Sequence, residues 1–373
     1  MKKRFFALLL VLAMLLAACG PGNQETTAPQ TADPTPGDPA TPTDPPSPTD
    51  PPYEPVITQI TMSFTGDCTL GTNQLHTYSN SFDQYYDKYG AEYFLSDVKY
   101  IFENDDITVV NLEGSLTSST DIQDKNWNHK GDPEYVQIMT SSSVEVAGMG
   151  NNHRTDYGIS GCEETIQVLE DAGIGWCYDG NYLIHEVKGI KVGFVSVNEV
   201  YDKTAIEVWL EEGYDYLRQA GCAIVIALVH WGVNYVVEPT PYMLDLGHRL
   251  IDMGYDLVLG NHAHILQGME MYKGRMIVYN LGNFCYGGNK NPKDKDSGIF
   301  QQTFTLVDGE LQMDADIKFI PCSLSSVSYK NDYHPVVLEG DEAIRVIEKI
   351  NGYSSVFGFT LAEDGTLGEP EDE

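Results

Sequence analysis

The segment Asp256–His264 has the sequence DLVLGNHAH, in which a short apolar run is followed at once by two histidines. The run Leu257–Leu259 is typical of a buried β-strand, and the Gly-Asn pair after it favours the end of that strand. Side chains two residues apart in an extended segment point to the same side. The sequence therefore predicts that His262 and His264 face one common ion.

Similar apolar runs recur along the chain and alternate with segments of helical periodicity. The predicted strands are Ile57–Thr65, Ile107–Leu112, Val144–Gly148, Ile190–Val197, Ala223–Val229, Asp256–Leu259, Met276–Leu281, Phe300–Leu306 and Met313–Ile320. One helix is predicted to begin near Ile159, and others to span Thr204–Ala220, Tyr242–Met253 and Asp341–Ile350. This alternation predicts an α/β fold with a buried sheet, extended by antiparallel strands beyond Gly298.

Polar side chains stand where several of these strands end. The candidate metal ligands among them are Asp67, Glu113, Asn152, His230, His262 and His264. Ligands of open α/β sheets bind outside the carboxyl ends of the strands, so we expect these groups to converge. Turns also favour Asp and Asn, which makes one such ending weak evidence, but a series of metal-capable groups is harder to explain that way. Imidazoles combined with carboxylate and amide oxygens suit a divalent Mn, Fe, Zn or Co ion.

His153 is a candidate catalytic residue because it follows Asn152 and precedes Asp156 by three positions. Asp156, at the expected start of a helix, is predicted to orient the His153 ring and to favour its protonated form. The alternative is that Asp156 only caps the helix. The remaining histidines receive a structural interpretation, because none follows an apolar strand beside another ligand type; they are His76, His129, His185, His248 and His334.

The first residues have the pattern of a bacterial lipoprotein signal. Basic residues precede a short apolar run that ends in Leu-Ala-Ala-Cys, which predicts a signal peptide over 1–18 and lipidation of Cys19. An uncleaved anchor is the alternative. Residues 19–56 are rich in Pro, Thr and Asp, which predicts an extended tether, although a partner-binding segment is the other interpretation. The protein is expected outside the cytoplasm, lipid-anchored to the cell membrane.

The formal net charge of −33 restricts the classes of partner. Such an acidic chain repels nucleic acid and anionic lipid headgroups, so an anionic substrate must be held locally by a metal ion or a few lysines. The seven cysteines lack the spacing of a disulfide scaffold or a zinc finger. Cys222 and Cys285 are expected to be buried thiols, and a Cys162–Cys177 bridge is left open.

Six ordered blocks carry a family resemblance: GDCTLG, NLEGSL, GNNHRTDYG, HWGVNY, LGNHAHILQGME and IVYNLGNF. From about Ile57 to Pro335 the chain resembles the bacterial capsule-synthesis CapA family, which includes the poly-γ-glutamate biosynthesis proteins. The resemblance implies a calcineurin-like metallophosphoesterase fold, a four-layer sandwich of two mixed β-sheets flanked by helices. Residues 336–373 would add a C-terminal helix and an acidic tail, frayed beyond Glu363.

The same resemblance implies roles for individual residues. Asp67 would open the metal site, Glu113 would occupy the position of a bridging carboxylate, and His153 would be the catalytic-type histidine. Lys130 stands where the family usually has an arginine and is, with Asn283, a candidate substrate contact. One or two divalent ions are implied.

Three positions depart from the family pattern. Asp67 is followed by Cys68 and Thr69 instead of the usual Asp-x-His, which removes one metal ligand and puts a two-metal site in doubt. Asn234 stands where a glutamate is common, and Asn261 replaces a frequent histidine.

Two functions fit this sequence. The first is a metal-dependent hydrolase of the cell envelope that cuts a phosphoester or a γ-glutamyl amide. The second is a non-catalytic surface lipoprotein that grips an anionic polymer and assists membrane-bound polyglutamate or capsule synthetase subunits. Nucleic acid is excluded as a partner in both.

Overall fold

Two large β-sheets lie face to face at the centre of the protein and carry helices on their outer faces. The structure, a computed structural model, describes residues 53–74, 78–200, 203–313 and 315–369. From Glu54 onward the chain forms one compact unit. The predicted signal peptide, the lipidation site Cys19, His76 and nearly all of the tether lie outside the described residues.

The strands of the described residues are, in chain order, β1 (Ile57–Thr69), β2 (Thr72–Asn73), β3 (Ile107–Leu112), β4 (Ser115–Leu116), β5 (His129–Gly131), β6 (Val146–Gly148), β7 (Gly175–Cys177), β8 (Leu183–Val187), β9 (Ile190–Asn198), β10 (Ile224–His230), β11 (Leu257–Asn261), β12 (Met269–Tyr272), β13 (Arg275–Val278), β14 (Asn283–Tyr286), β15 (Asp296–Val307), β16 (Glu310–Leu311), β17 (Asp316–Ser323) and β18 (Val336–Val337).

The helices are α1 (Phe82–Tyr89), α2 (Lys99–Phe102), α3 (Val136–Thr140), α4 (Gly158–Asp171), α5 (Lys203–Gln219), α6 (Pro241–Met253) and α7 (Gly340–Ser354). Short 3₁₀ turns occupy Ala91–Tyr93, Pro133–Tyr135 and Ser355–Phe357. Among the described residues, no helix has both the length and the apolar character needed to cross a membrane.

The first sheet has the strand order β18-β17-β15-β1-β3-β6-β7, with β14 paired to β1 and β16 to β15. Its centre is parallel, because β1 pairs with β3 and β3 with β6 in the same direction. The predicted antiparallel extension is confirmed: β15 runs antiparallel to β1, and β17 antiparallel to β15. The sheet is therefore mixed, and its parallel strands end on one side, where the candidate ligands lie.

The second sheet has the order β12-β13-β11-β10-β9-β8. Strands β9, β10, β11 and β13 are parallel, whereas β8 and β12 add antiparallel edges. All seven residues of β10 are buried, as expected for a central strand covered on both faces. A third, small sheet joins β2, β5 and β4 beside the first one.

Three apolar clusters define the layers. One lies between the two large sheets and includes Phe64 of β1 and Leu228 of β10. A second packs α1 to α4 against the outer face of the first sheet, and a third packs α5 and α6 against the second sheet. The predicted four-layer α/β sandwich is thus confirmed. Burial of these amphipathic helix faces is the main source of their stability.

The C-terminal segment differs from expectation. The helix α7 packs on the inter-sheet core through Val346, Ile347 and Ile350. The acidic stretch after it is not frayed as far as it is described: Lys318 of β17 bridges to Thr366, and the Phe319 N–H donates to the carbonyl of Gly365 at 2.8 Å. Backbone hydrogen bonds to a sheet edge therefore hold a segment that composition alone marked as a tail.

The cysteines of the described residues are all free and buried. The bridge between Cys162 and Cys177 does not form. The expectation of buried thiols at Cys222 and Cys285 is confirmed.

Candidate metal centre

In the first sheet, a close backbone contact between Gly66 and Gly282 fixes the position of the neighbouring Asp67. The Asp67 N–H donates to the Gly282 carbonyl at 2.8 Å, and Asp67 is in register with Asn283 of β14. A β-carbon on Gly66 would lie 2.0 Å from that carbonyl oxygen, so only glycine allows this approach. Glu113 follows β3 directly and is fully buried.

The second sheet faces these carboxylates with histidines. His230 is the last residue of β10, and His262 follows β11. Nε2 of His230 lies 3.0 Å from Nδ1 of His262 and 3.6 Å from Oε1 of Glu113. Oδ1 of Asn152 lies 2.8 Å from the same Nε2 atom. Ligands about 2.1 Å from one ion are themselves about 3.0–3.4 Å apart, so this spacing suits a coordination sphere.

A second donor group adjoins the first. Asp67, Glu113 and His264 place one ligand atom each within 4.8 Å of one another, as Glu113, His230 and His262 do. Oδ2 of Asp67 lies 3.0 Å from Nδ1 of His264, and Nε2 of His264 lies 4.0 Å from Oε1 of Glu113. Glu113 belongs to both groups, which is the arrangement of a carboxylate between two ions.

The Glu113 carboxylate provides the test of whether these residues fit a metal ion. Its Oε1 atom is buried and has no hydrogen-bond partner, although two histidines face it. Burial, reinforced by Asp67, raises the pKa of Glu113 to about 8. An unpartnered buried oxygen is costly unless a cation satisfies it. The donor set of imidazole nitrogens and carboxylate oxygens fits a borderline divalent ion.

The pKa values of the two neighbouring histidines diverge. Burial, followed by the neighbouring His264, lowers the pKa of His262 to about 4. Burial alone would also lower the pKa of His264, but Glu113 and Asp67 outweigh it and raise that pKa to about 9. The two carboxylates beside His264 thus favour a positive charge at the second donor group.

The sequence analysis predicted an extended segment after β11, but the structure shows that this segment is not extended. His262 has φ 103° and His264 has φ 59°, so both occupy the positive-φ region that L-residues rarely adopt. The expectation that both histidines leave an extended segment toward one ion is therefore wrong. Their strained backbone directs them into the two different donor groups, which share Glu113.

His153 lies beside these donors and is held by Asp156. Nδ1 of His153 is 2.7 Å from Oδ2 of Asp156, an atom that also accepts the His129 backbone N–H at 2.6 Å. The other oxygen of Asp156 forms an ion pair with Lys125, whose ammonium also donates to the carbonyl of Asn152 at 2.8 Å. Asp156 is fully buried and orients the ring, which is the predicted geometry.

Two details of that prediction change. His153 and Asp156 lie in a turn before α4, which begins at Gly158, so they do not share a helix face. Burial, followed by the charge of Lys125, holds the pKa of His153 well below its usual value. The expected protonated form is therefore disfavoured, because the ring is buried and the positive charge of Lys125 lies near it.

A cavity of about 370 Å³ opens beside the donors, and His153 and His264 line it. Among the described residues that line it, Lys125 is the one lysine. The predicted substrate contact Lys130 instead donates to the Ser119 carbonyl at 2.9 Å and does not line the cavity. The strand β5 explains the difference, because it pairs Lys130 with β2 and β4 and leads its side chain away.

Asn283, the other predicted substrate contact, bonds His264. Its Oδ1 atom lies 2.9 Å from Nδ1 of His264, and its amide donates to the His264 carbonyl at 3.0 Å. Asn283 also lines a second cavity, which His264 lines as well. It therefore positions a candidate ligand and borders the site as well.

His129 is a site residue that the sequence did not indicate. It lines the cavity, its ring centroid lies 4.2 Å from that of His153, and its buried Nδ1 atom has no hydrogen-bond partner. Burial, and then the neighbouring His153, lower the pKa of His129 well below its usual value. No apolar strand precedes it, so the criterion of strand ends could not identify it. The one indication in the sequence was that His129 directly precedes Lys130, which was itself a predicted substrate contact.

The positions that depart from the family pattern are also in or near the site. Thr69, in place of a histidine, donates its hydroxyl to Oε2 of Glu113 at 3.1 Å. Asn234 lines the cavity. Asn261 is buried at the end of β11. The hydroxyl of Thr69 thus satisfies the oxygen of Glu113 that does not face the histidines.

Comparison with known proteins agrees with this architecture. The family described as "Bacterial capsule synthesis protein PGA_cap" matches residues 61–287. The capsule biosynthesis protein CapA of Bacillus anthracis is 26% identical over 269 residues, which cover 65% of this chain and 63% of that protein. The PGA biosynthesis protein CapA of Bacillus subtilis (strain 168) is 25% identical over 265 residues, or 65% of this chain and 67% of that protein.

A further match covers less of either chain. A probable polyglutamine synthesis accessory protein of Mycobacterium tuberculosis (strain CDC 1551 / Oshkosh) is 29% identical over 209 residues, 48% of this chain and 55% of that protein. The chain thus spans less than two thirds of the length of the Bacillus anthracis relative and of the mycobacterial one.

Proposed function

The chain belongs to the bacterial capsule synthesis protein family PGA_cap, and on this premise we propose that it acts in the synthesis or export of a poly-γ-glutamate-type capsule polymer. The proposed chemistry is metal-dependent hydrolysis of a γ-glutamyl amide or a phosphoester. The names of two relatives, a capsule biosynthesis protein and a PGA biosynthesis protein, support a role in this process. The single observation that carries the chemistry is the buried, unpartnered Oε1 of Glu113 between two histidine-containing donor groups.

The donor groups would hold one or two divalent ions through Asp67, Glu113, His230, His262 and His264, with Asn152 beside them. An ion bound there polarises a carbonyl or phosphoryl oxygen and activates water for attack. The surrounding residues exclude bulk water, since all five carboxylate and histidine ligands are buried. In such a low-dielectric site the electrostatic stabilisation of a developing negative charge is strong.

His153 would carry the proton in this reaction. Its Nδ1–H donates to Asp156, which fixes the tautomer and leaves Nε2 as the acceptor. In the proposed step Nε2 takes a proton from the attacking water and delivers it to the leaving nitrogen or oxygen. Asp156 holds the ring in place, and Lys125 balances the charge of Asp156.

The proposed location is the outer face of the cell membrane. The signal pattern over 1–18 and the cysteine at position 19 support lipid anchoring, and the tether would hold the folded part away from the membrane. At that location the partners would be membrane-bound subunits of a capsule or polyglutamate synthetase. Replacing Cys19 with alanine should then release the protein from the membrane fraction, and retention there would contradict lipid anchoring.

A second candidate is a non-catalytic role in which the same site grips an anionic polymer during assembly. One observation favours it: Thr69 occupies the position of a usual metal ligand and satisfies Glu113 by a hydrogen bond instead. A centre with fewer ligands would bind an anionic group without strongly activating water. The word "accessory" in the name of the mycobacterial relative suits this role as well.

Metal analysis followed by substrate assays would separate the two candidates. Purified full-length protein, loaded with Mn²⁺ or Zn²⁺, would be incubated with a chromogenic phosphodiester and with poly-γ-glutamate. For the hydrolase we expect bound metal and turnover of at least one substrate. His153→Ala should lower the rate about 10²–10⁴-fold, because general acid–base catalysis contributes about that much. The metal content of this variant should be unchanged.

The opposite result is equally clear. If metal-loaded protein leaves both substrates intact, and His153→Ala still supports capsule formation in cells, the hydrolase proposal fails and the gripping role stands. A purified protein that binds no divalent ion would remove both candidates, since each uses the metal centre.

A further inference from the structure

Two cavities adjoin at His264, and the proposed function uses only the first. The first has a volume of about 370 Å³ and the second of about 630 Å³. Three residues line both, namely Tyr235, His264 and Asn289. Each volume alone has the size of a small-molecule pocket. The donor His264 therefore lies where the two cavities meet, and together they form a cleft whose two parts we call the Lys125 arm and the Lys293 arm.

One wall of the Lys125 arm is built by a single short segment. Lys125, Asn126, Trp127 and His129 line it, while the side chain of Asn128 is fully buried. The Asn128 amide donates to the carbonyls of Gln123 at 3.2 Å and Lys125 at 2.8 Å, which fixes the segment. The unpartnered Nδ1 of buried His129 indicates that this wall contacts a polar ligand group.

The Lys293 arm is lined by polar side chains beyond His264. Asn283, Asn291 and Lys293 lie there. Asp294 also lines it, but its carboxylate is bound by Lys349 at 2.6 Å, so its charge is balanced. Lys293 is exposed and lines the arm beside amide side chains and the apolar residues Ile265 and Pro292.

The charges suit a chain with spaced anionic groups better than one compact polyanion. Each arm has one lysine, in a protein whose formal net charge is −33. Lys125 is already paired with Asp156, so away from the metal donors the arms offer little positive charge for a phosphate dianion. Single carboxylates spread along a flexible chain need only one donor or one cation each.

We propose that the cleft holds the interior of a linear polyamide bearing carboxylates, with one stretch of the chain in each arm and the bond between them at the metal donors. This inference rests on the proposed function and specifies which part of the polymer the site engages. Hydrolysis at this position breaks an internal C–N bond, adds the hydroxyl of water to the carbonyl carbon and transfers a proton to the leaving nitrogen. The products are two shorter chains, not released terminal units.

Binding of oligomers of defined length tests this arrangement. Synthetic oligo-γ-glutamates of two to ten units would be titrated into the metal-loaded full-length protein by calorimetry. We expect affinity to rise at least tenfold with length until both arms are filled, and then to level off. Oligomers with acetylated amino ends and amidated carboxyl ends should bind as tightly as free ones, because an internal site does not use chain ends.

Variants in each arm provide the second readout. Lys293→Glu and Trp127→Ala should each weaken binding of a ten-unit chain about three- to tenfold. Lys290→Glu changes the net charge equally but lies over the ring of Tyr78 outside both arms, so it is the control for the lysine. Tyr100→Ala is the control for the tryptophan, since the two side chains are about equally exposed, at 56% and 55%.

The outcomes separate this inference from the function on which it rests. Internal binding without hydrolysis supports the cleft and the gripping role. Hydrolysis that releases only terminal units overturns the cleft and leaves the hydrolase intact. Affinity that does not change with length, loss of binding on end-capping, or binding of polyphosphate but of no oligoglutamate would each overturn the inference.

Discussion

His262 and His264, separated only by Ala263, belong to different donor groups that have Glu113 in common. Both residues have positive φ values, and the two ring centroids are 6.0 Å apart. One short segment after β11 thus contributes one histidine to each of the two donor groups. It follows that removing either histidine should disturb one half of the centre, whereas removing Glu113 should disturb both.

Metal stoichiometry tests this division. His262→Ala and His264→Ala should each reduce the bound metal per chain by about half relative to the parent protein, because each variant removes a ligand from one group only. Glu113→Ala should reduce it to near zero. Elemental analysis after dialysis against dilute Mn²⁺ or Zn²⁺ measures the content. A single ion in the parent protein, lost equally in all three variants, would contradict two separate groups.

Asp156 positions His153, so its charge should matter for turnover more than for folding. Asp156→Asn keeps the size of the side chain but weakens the bonds to His153 and Lys125. We expect kcat to fall about 10–100-fold with little change in KM, and stability to fall by about 1–3 kcal/mol because Lys125 loses a charged partner. Asp171→Asn, at the exposed end of α4, should change neither quantity measurably.

The strand-end criterion identified most of the centre from sequence, and its physical basis explains why. Parallel strands of both sheets end on the same side, so Glu113 after β3 and His230 at the end of β10 had to approach one another. Predicted and observed strands differ by a few residues: β11, for example, spans Leu257–Asn261 where Asp256–Leu259 was expected. Such boundaries depend on pairing with neighbours, which a single sequence does not contain.

The sequence analysis did not predict which loop residues line the cavity. Lys125 and His129 reach the cavity because the side chain of Asn128 ties their segment together by bonds to backbone carbonyls. Nothing periodic marks such a segment, and the sequence analysis did not single out Lys125; the predicted substrate contact Lys130 does not line this cavity, whereas Lys125 does. A pattern of residue types likewise does not predict that His262 and His264 have positive φ values.

Asp256, the residue before β11, should be important for stability because it joins three elements. It is buried, accepts the Val225 N–H at 2.8 Å, and pairs with Arg218 at 2.8 Å and Arg275 at 3.1 Å. Asp256→Ala leaves two guanidinium groups without their partner and should cost about 3–5 kcal/mol in urea unfolding. The exposed pair of Asp245 and Arg249 is the control, and Asp245→Ala should cost less than about 1 kcal/mol.

Glu145 should make stability depend on pH near neutrality. Burial, opposed partly by the hydrogen bond from the Thr108 N–H and reinforced by Asp105, raises the pKa of Glu145 to about 7 from the usual 4.5. A carboxyl whose pKa is raised by folding stabilises the protein below pH 4.5, and this contribution is lost as the pH rises through 7. Asp105, whose pKa burial raises to about 6, acts in the same direction.

Glu145→Gln imitates the protonated form and keeps an acceptor for the Thr108 N–H. Relative to the parent protein it should be about equally stable at pH 4.5 and about 1 kcal/mol more stable at pH 8, a value reduced for the solvent screening of a partly exposed group. Urea unfolding at both pH values measures the difference. A gain at pH 4.5 that disappears at pH 8 would have the wrong sign and would contradict this account.

Removing metal should loosen the contact between the two sheets. Asp67 and Glu113 come from the first sheet and His230 and His262 from the second, so an ion held by them links the sheets across the core. Binding to the folded state alone stabilises it by about 2.7 kcal/mol when the free ion is at 100 times its dissociation constant. Adding a chelator should therefore lower Tm by about 5 °C, and returning Mn²⁺ or Zn²⁺ should restore it. In Glu113→Ala the chelator and the added ion should both leave Tm unchanged, because the shared ligand is gone. If that variant responds to metal as strongly as the parent protein does, the stabilising ion is bound elsewhere and the site does not link the sheets.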